Sequence, residues 1–156
     1  MKKIKYTASV LIILILIMSC STSKNTLAVN NDKGLEAEYN YSLTETYWKL
    51  IELNGKPLST VEKQREAFMI LKKDTNKVHG NSSCNTFNGT YTVTNDTQIS
   101  FSKMTSTMMA CINMVVENEF LNVVKQVDNF AIKGNILSLS RARMAPLAKF
   151  EAVVMK

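Results

Sequence analysis

The sequence is poor in the side chains that most often bind metals. It has a single histidine, His79, and three cysteines, and it contains neither a CxxC nor an HxxxH spacing. Zinc sites usually draw their four ligands from cysteine and histidine at such spacings. We therefore expect no metal site and no cofactor.

The sequence also lacks an apolar run long enough to cross a membrane as a helix. The run at 8–18 is shorter than the roughly 20 residues that a spanning helix needs, and three lysines precede it. A positive segment followed by a short apolar one is typical of a secretory signal peptide. The run ends in Ile17, Met18, Ser19 and Cys20, which resembles a bacterial lipobox. Signal peptidase II would cut before Cys20, and Cys20 would carry the lipid.

Two other interpretations fit the apolar run, a signal peptide cut elsewhere or an uncleaved anchor, but both leave Cys20 unexplained. We predict a lipoprotein signal peptide at 1–19, the lipidated Cys20 and a polar tether at 20–43, and one domain at 44–156. Several acyl chains, at about 0.8 kcal/mol per buried methylene, make such an anchor effectively permanent. Ser21 is not the Asp that retains some lipoproteins in the inner membrane, so we expect the outer membrane, facing the periplasm.

A strong charge of either sign is missing as well. The formal net charge is +6, and the three lysines of the predicted signal peptide account for half of it, leaving +3. This is too little to indicate a nucleic-acid partner. The sequence has no internal repeat, and the predicted domain is large enough for one hydrophobic core only.

Short segments with apolar residues at every second position fill most of the domain. They are bounded by turn signals such as Asn54 with Gly55 and Gly134 with Asn135, so they predict β-strands and hairpins. In the last segment, Phe150, Ala152 and Val154 are expected on one buried face. The predicted strands cover 47–57, 67–73, 77–81, 89–95, 98–104, 129–140 and 147–154.

The period changes to that of an amphipathic helix at 114–127. Its expected buried face contains Val116, Phe120, Val123, Val124 and Val127. The polar residues expected on the other faces are Glu117, Glu119, Asn122, Lys125 and Gln126. One helix among many short strands indicates an α+β fold with a mostly antiparallel sheet.

The segment at 79–91 contains His79 and Cys84 and so raises the question of catalysis. A Cys–His pair needs a reactive thiolate beside the imidazole. Residues five apart on a strand point to opposite faces, which separates these two side chains. We therefore expect no catalytic residue and no enzyme, with His79 on the sheet surface.

Once Cys20 is lipidated, Cys84 and Cys111 are left, and an exported domain most simply pairs them. The bond would stabilise the fold by roughly 3 to 4 kcal/mol in the chain-entropy model. It would also hold the start of the helix against the sheet. The alternative is two free thiols, which would have to be buried or kept in a reducing compartment.

Two ordered sets of residues resemble the motifs of the META (HslJ-like) domain family. The first set is Gly80, Cys84, Asn85, Gly89 and Tyr91. The second set is Met104, Thr107, Met108, Cys111, Glu117 and Phe120. The resemblance covers nearly all of 47–154, with Trp48 near its start and the strand of Leu137 and Leu139 near its end. Ser83 departs from the family, which commonly has glycine immediately before the cysteine.

The resemblance implies an incomplete antiparallel barrel beside a helix, without established enzymatic activity. Family members are often envelope lipoproteins associated with heat response, antibiotic tolerance and, in some lineages, secretion or virulence. We therefore expect a lipid-anchored protein that binds an envelope partner. The alternative is a carrier or chaperone for a lipid or another apolar ligand, because the fold is similar to that of a secretion pilotin.

The residues of the motifs are expected to be structural. Gly80 and Gly89 would supply positive φ at turns, Asn85 would bond loop amides, and Tyr91 would combine an apolar ring with a polar tip. Four methionines of the second motif region are expected to fill the core between helix and sheet, rather than to form a contact surface for a partner. They are Met104, Met108, Met109 and Met114.

Overall fold

The structure of the protein is a computed structural model that describes residues 41–58 and 65–154. The predicted signal peptide, Cys20 and most of the predicted tether lie outside the described residues. Within the described part, no helix has the length and apolar composition needed to cross a membrane.

The described residues form nine strands and one helix. In chain order they are β1 (Tyr47–Leu53), β2 (Lys56–Pro57), β3 (Phe68–Lys72), β4 (Lys77–Asn81), β5 (Thr86–Val93), β6 (Ile99–Ser106), α1 (Val115–Gln126), β7 (Asn129–Lys133), β8 (Ile136–Ser140) and β9 (Ala148–Val153).

All strand pairs are antiparallel, and the sheet has the order β6-β5-β4-β3-β1-β9-β8-β7, with β2 paired to β1. The two outermost strands approach each other at one point. There the Phe130 N–H donates to the Thr97 carbonyl at 2.7 Å, and the Ile99 N–H donates to the Asp128 carbonyl at 3.1 Å. The curled sheet is therefore an incomplete barrel, and the predicted α+β fold is confirmed.

Helix α1 packs against the core of this barrel. The Phe120 ring is fully buried and lies 5.3 Å from the ring of Phe87 and 6.1 Å from that of Phe150, centre to centre. Burying each such side chain stabilises the fold by about 1.5 to 3 kcal/mol. Trp48 on β1 is also fully buried, so bulky side chains fill the barrel interior.

The alternation of buried residues ends where the last strand ends. Ala148, Phe150 and Ala152 are buried, as their spacing predicts, but Val154 is exposed. The expectation for Val154 is wrong because β9 pairs with β1 only as far as Val153, opposite Tyr47, so the alternation stops there.

A short segment at 41–46 covers one end of the barrel. The indole N–H of Trp48 donates to the Leu43 carbonyl at 3.0 Å, and the Glu45 N–H donates to the Leu71 carbonyl at 2.9 Å. The predicted tether thus joins the domain at the end where β3 turns into β4.

Candidate functional site

The turn between β4 and β5 lies at the opposite end of the barrel and is buried almost throughout. Its centre is Ser83, which has a φ of 90°. This is a region that favours glycine, because a Cβ crowds the backbone there. Ser83 therefore has a positive φ without being glycine, which is the residue that the family resemblance leads us to expect at this position.

Asn85 is the polar centre of the site, with only 1% of its surface exposed. Its side-chain oxygen accepts hydrogen bonds from the Thr107 hydroxyl at 2.6 Å and from the Met109 N–H at 2.7 Å. Its side-chain amide donates to the Met109 carbonyl at 3.0 Å. Asn85 therefore holds the loop between β6 and α1, which supports its expected role of bonding loop amides.

Glu117, in the first turn of α1, completes this network. It is 4% exposed and accepts hydrogen bonds from the backbone N–H of Asn85 at 3.0 Å and from its side-chain amide at 3.0 and 3.1 Å. An acidic side chain near a helix N-terminus also interacts favourably with the helix dipole. The expectation that Glu117 lies on an exposed face of the helix is wrong.

The spacing of Glu117 along the helix predicts that it is buried, although a charged side chain is usually expected to be exposed. Glu117 lies three residues before Phe120 and seven before Val124, and these spacings place all three on one side of a helix. Both partners are buried. A polar residue at a core position of the pattern therefore indicated a buried hydrogen-bond network.

A disulfide bond joins the turn to the same loop. Cys84 is bonded to Cys111, with a distance of 6.1 Å between their Cα atoms. Cys84 thus has no thiol that could act as a nucleophile. The loop at 107–114 is held by a covalent bond at Cys111 and by the side chain of Asn85 at Met109.

This loop and the first residue of α1 present exposed apolar side chains. Met108 is 98% exposed, Met109 is 47% exposed, and the side chains of Ile112 and Val115 are exposed as well. We call these four residues the apolar patch. Only Met104 and Met114 are partly buried, so the expectation that all four methionines fill the core is wrong for Met108 and Met109. The loop has no regular period from which its burial could be predicted.

The two glycines of the first motif serve close packing rather than turns. Neither Gly80 in β4 nor Gly89 in β5 has a positive φ, so the expected role is wrong. A Cβ on Gly80 would overlap the carbonyl of Phe68 on the neighbouring strand, and a Cβ on Gly89 would overlap the side chain of Met104. Gly80 therefore permits the close approach of β3 and β4.

Tyr91 lies away from the apolar patch, at the end of the barrel covered by 41–46. Its ring is buried, and its hydroxyl donates to the Lys72 carbonyl at 3.2 Å. Burial, assisted by the negative charge of Glu45, raises the pKa of the Tyr91 hydroxyl above its ordinary value. The motif residues thus divide between the two ends of the sheet, and Cys84, Asn85, Thr107, Cys111 and Glu117 meet at one end.

His79 lies in β4, between Ile70 of β3 and Asn88 of β5, and it is half-buried. In the part of the chain that the structure describes, no three side chains of His, Cys, Asp or Glu are placed to hold a metal ion.

The fold and the site define a small α+β domain in which an incomplete barrel carries a disulfide-bonded loop next to its helix. Residues 41–154 match the model of the META domain family. The chain belongs to this family.

Two solved structures are similar to the domain. One is the NMR structure of a protein that is 20% identical, with a TM-score of 0.54 over 70% of this chain and 90% of that one. The other is the NMR structure of a protein from Burkholderia xenovorans, also 20% identical, with a TM-score of 0.58 over 72% of this chain and 85% of that one. At this identity the likeness shows the fold alone. No curated protein matches the chain.

Proposed function

We propose that the protein is a non-enzymatic lipoprotein of the cell envelope that binds an envelope protein through its apolar patch. Cys20 carries the anchor, which lies in the outer membrane and faces the periplasm. By binding its partner, the protein supports tolerance of stress or antibiotics.

The observation that carries this proposal is the exposure of four apolar side chains within eight residues of the chain, with Met108 and Ile112 almost fully exposed. Contiguous exposed apolar residues on a small domain usually mark an interaction site. Methionine suits such a site because its flexible thioether adapts to the partner's surface. The disulfide at Cys111 and the Asn85 hydrogen bonds at Met109 hold the backbone, so binding does not have to order the loop and the associated entropy cost is lower.

The position of the patch favours a protein partner over the anchoring membrane. The tether joins the domain beside the β3–β4 turn, where Glu45 bonds to Leu71, whereas the patch lies beside the β4–β5 turn. The length of β4 separates these two turns. The patch therefore lies at the end of the barrel opposite the one at which the chain enters the domain.

Site-specific photo-crosslinking in living cells tests the proposal. A photoreactive residue at Ile112 should yield one dominant adduct with an envelope protein, and the same residue at the exposed Lys77 of β4 should not. Met108→Ser should reduce the yield at position 112, because it makes the patch polar without touching the held backbone. Adducts with lipid or with a second copy of the chain, or an equal yield at both positions, would contradict the proposal.

The anchor is tested separately by Cys20→Ser. The variant should be released from membranes or accumulate as an uncleaved precursor, because position 20 then has no thiol to acylate. Fractionation and mass spectrometry of the N-terminus measure this. Normal maturation and membrane association of the variant would show that Cys20 is not the anchor.

A second candidate function is a carrier for an apolar ligand. A cavity of about 590 Å³ opens at the end of the barrel near the tether, and Leu43, Tyr91, Val93 and Phe130 contribute apolar groups to its lining. Its remaining lining residues are mostly polar, and the barrel interior itself is filled by Trp48 and Phe120. Mass spectrometry after organic extraction of the purified protein would find stoichiometric lipid if this function holds.

A further inference from the structure

The methionines of the described residues differ sharply in exposure. Met108 is 98% exposed and Met144 is 66% exposed, whereas Met69 in β3 is completely buried. Oxidation of a thioether depends on how easily the oxidant reaches the sulfur. An oxidant in solution should therefore reach the sulfur of Met108 much more easily than that of Met69.

The loop cannot easily withdraw its methionines from solvent. Both the N–H and the carbonyl of Met109 are bonded to the side chain of Asn85, at 2.7 and 3.0 Å, and Cys111 is bonded to Cys84. On the other side of Met108, the Thr107 N–H donates to the Thr86 carbonyl at 3.0 Å, so the backbone is held before and after Met108. Because Cys84 and Cys111 are joined in the disulfide, neither has a thiol that would react with an oxidant before the methionines do. The exposed methionine sulfurs are therefore the groups on this loop that an oxidant can reach.

We propose that Met108 and Met109 form a reversible oxidation site that weakens partner binding by the apolar patch. A two-electron oxidant, hydrogen peroxide in the simplest case, transfers one oxygen atom to the sulfur. The O–O bond breaks as the S–O bond forms, the sulfide becomes a sulfoxide, and the peroxide is reduced to water. Methionine sulfoxide reductases reverse the change. In this reduction two thiols are oxidised to a disulfide, and the sulfoxide oxygen leaves as water.

The change acts on the chemistry of the patch and not on the fold. A sulfoxide is polar, so conversion of Met108 and Met109 leaves Ile112 and Val115 as the apolar members of the patch. The backbone bonds of Met109 to Asn85 do not involve its sulfur. This regulation rests on the proposed function, because it concerns the same contact surface.

Peptide mass spectrometry of the purified, disulfide-bonded protein during graded peroxide treatment tests the site itself. Met108 should oxidise at least tenfold faster than Met69, with Met109 slower than Met108, while the unfolding transition stays cooperative. Met144, which is exposed but lies outside the patch, is the reference for the oxidation of an accessible methionine. Equal rates at Met108 and Met69, or unfolding in step with Met108 oxidation, would overturn the assignment.

The effect on binding is measured with the photoreactive residue at Ile112. Oxidation should reduce the adduct several-fold, sulfoxide reductase should restore it, and the double variant Met108→Leu with Met109→Leu should be insensitive to peroxide. The matched variant Met144→Leu should remain sensitive. An adduct that is unchanged after complete oxidation of Met108 would refute the switch and leave the proposed function intact, whereas absence of the adduct before oxidation would refute the proposed function and the switch with it.

Discussion

Asn85 and Glu117 lie 32 residues apart in the sequence and are joined by three hydrogen bonds of 3.0 to 3.1 Å. One residue ends the turn before β5, and the other lies in the first turn of α1. Both are buried, so each group depends on the other for its hydrogen bonds. The pair fixes where the helix begins relative to the sheet and, through Met109, where the apolar patch lies.

Asn85→Ala should lower the free energy of unfolding by about 2 to 4 kcal/mol, because it removes the side-chain hydrogen bonds to the backbone of Met109 and two of the three hydrogen bonds to Glu117. Denaturant unfolding measures the loss. The control is Asn122→Ala on the exposed side of α1, which should change stability by less than about 0.5 kcal/mol. In a double-mutant cycle, Asn85→Ala and Glu117→Ala should be strongly non-additive. Additive losses would mean that the pair does not act as a unit.

Removing the disulfide bond should lower the free energy of unfolding by about 3 to 4 kcal/mol in the chain-entropy model. Cys111→Ser opens it at its more exposed end, and hydrogen exchange should then rise in both the turn at 82–85 and the loop at 107–114. Adding Cys84→Ser should cost little more, since both substitutions remove the same bond. Free thiols at both positions in protein isolated from cells without reductant would contradict this pairing in the cell.

The two glycines of the first motif provide a matched pair. Gly80→Ala should destabilise the fold by about 3 kcal/mol or more, because the added methyl group meets the backbone of Phe68, which cannot move without disturbing β3. Gly89→Ala should cost less, about 1 to 2 kcal/mol, because it meets the flexible side chain of Met104. Combined with Gly89→Ala, Met104→Ala should recover part of the lost stability, because it removes the side chain that the new methyl group meets. Combined with Gly80→Ala, it should recover none. Thermal unfolding of the two double variants measures this.

Glu45 makes the attachment of the 41–46 segment dependent on pH. A hydrogen bond from the Lys72 ammonium group, with a second from the Lys73 N–H, holds the pKa of Glu45 below its ordinary value of 4.5. Because the folded pKa is the lower one, the unfolded chain binds more protons as the pH falls, and the stabilisation is present above pH 4.5 and lost below it.

The stability difference between the protein and Glu45→Gln should therefore shrink as the pH falls from neutral to below the lowered pKa. Urea unfolding at several pH values measures it. Lys72→Met is the control, since in that background Glu45→Gln should have a smaller effect at neutral pH. A difference that grows with acidity would have the wrong sign for this mechanism.

Much of the fold could be predicted because apolar residues recur at the regular spacing of strands and helices, and these residues are the ones that are buried. Alternation in β1, β8 and β9, and the spacing of Phe120, Val123 and Val124, report which face meets the core. The role of Gly80 could not be predicted, because it depends on how closely a neighbouring strand approaches. The exposure of Met108 could not be predicted either, since it follows from long-range bonds made by Asn85 and Cys111.

Strand β6 lies at the edge of the sheet and ends at the loop that carries the apolar patch. Opposite Asn88 and Thr90 its pairing with β5 is irregular, and there Lys103 is exposed with a φ of 51°. A charged residue at an irregular point deters a second chain from adding a strand to an open edge. Anchored molecules share a two-dimensional surface, where neighbours collide often and unpaired edges would favour polymerisation. In the proposed membrane-anchored state, Lys103 would keep neighbouring copies from pairing along β6 and would leave the apolar patch to a different partner.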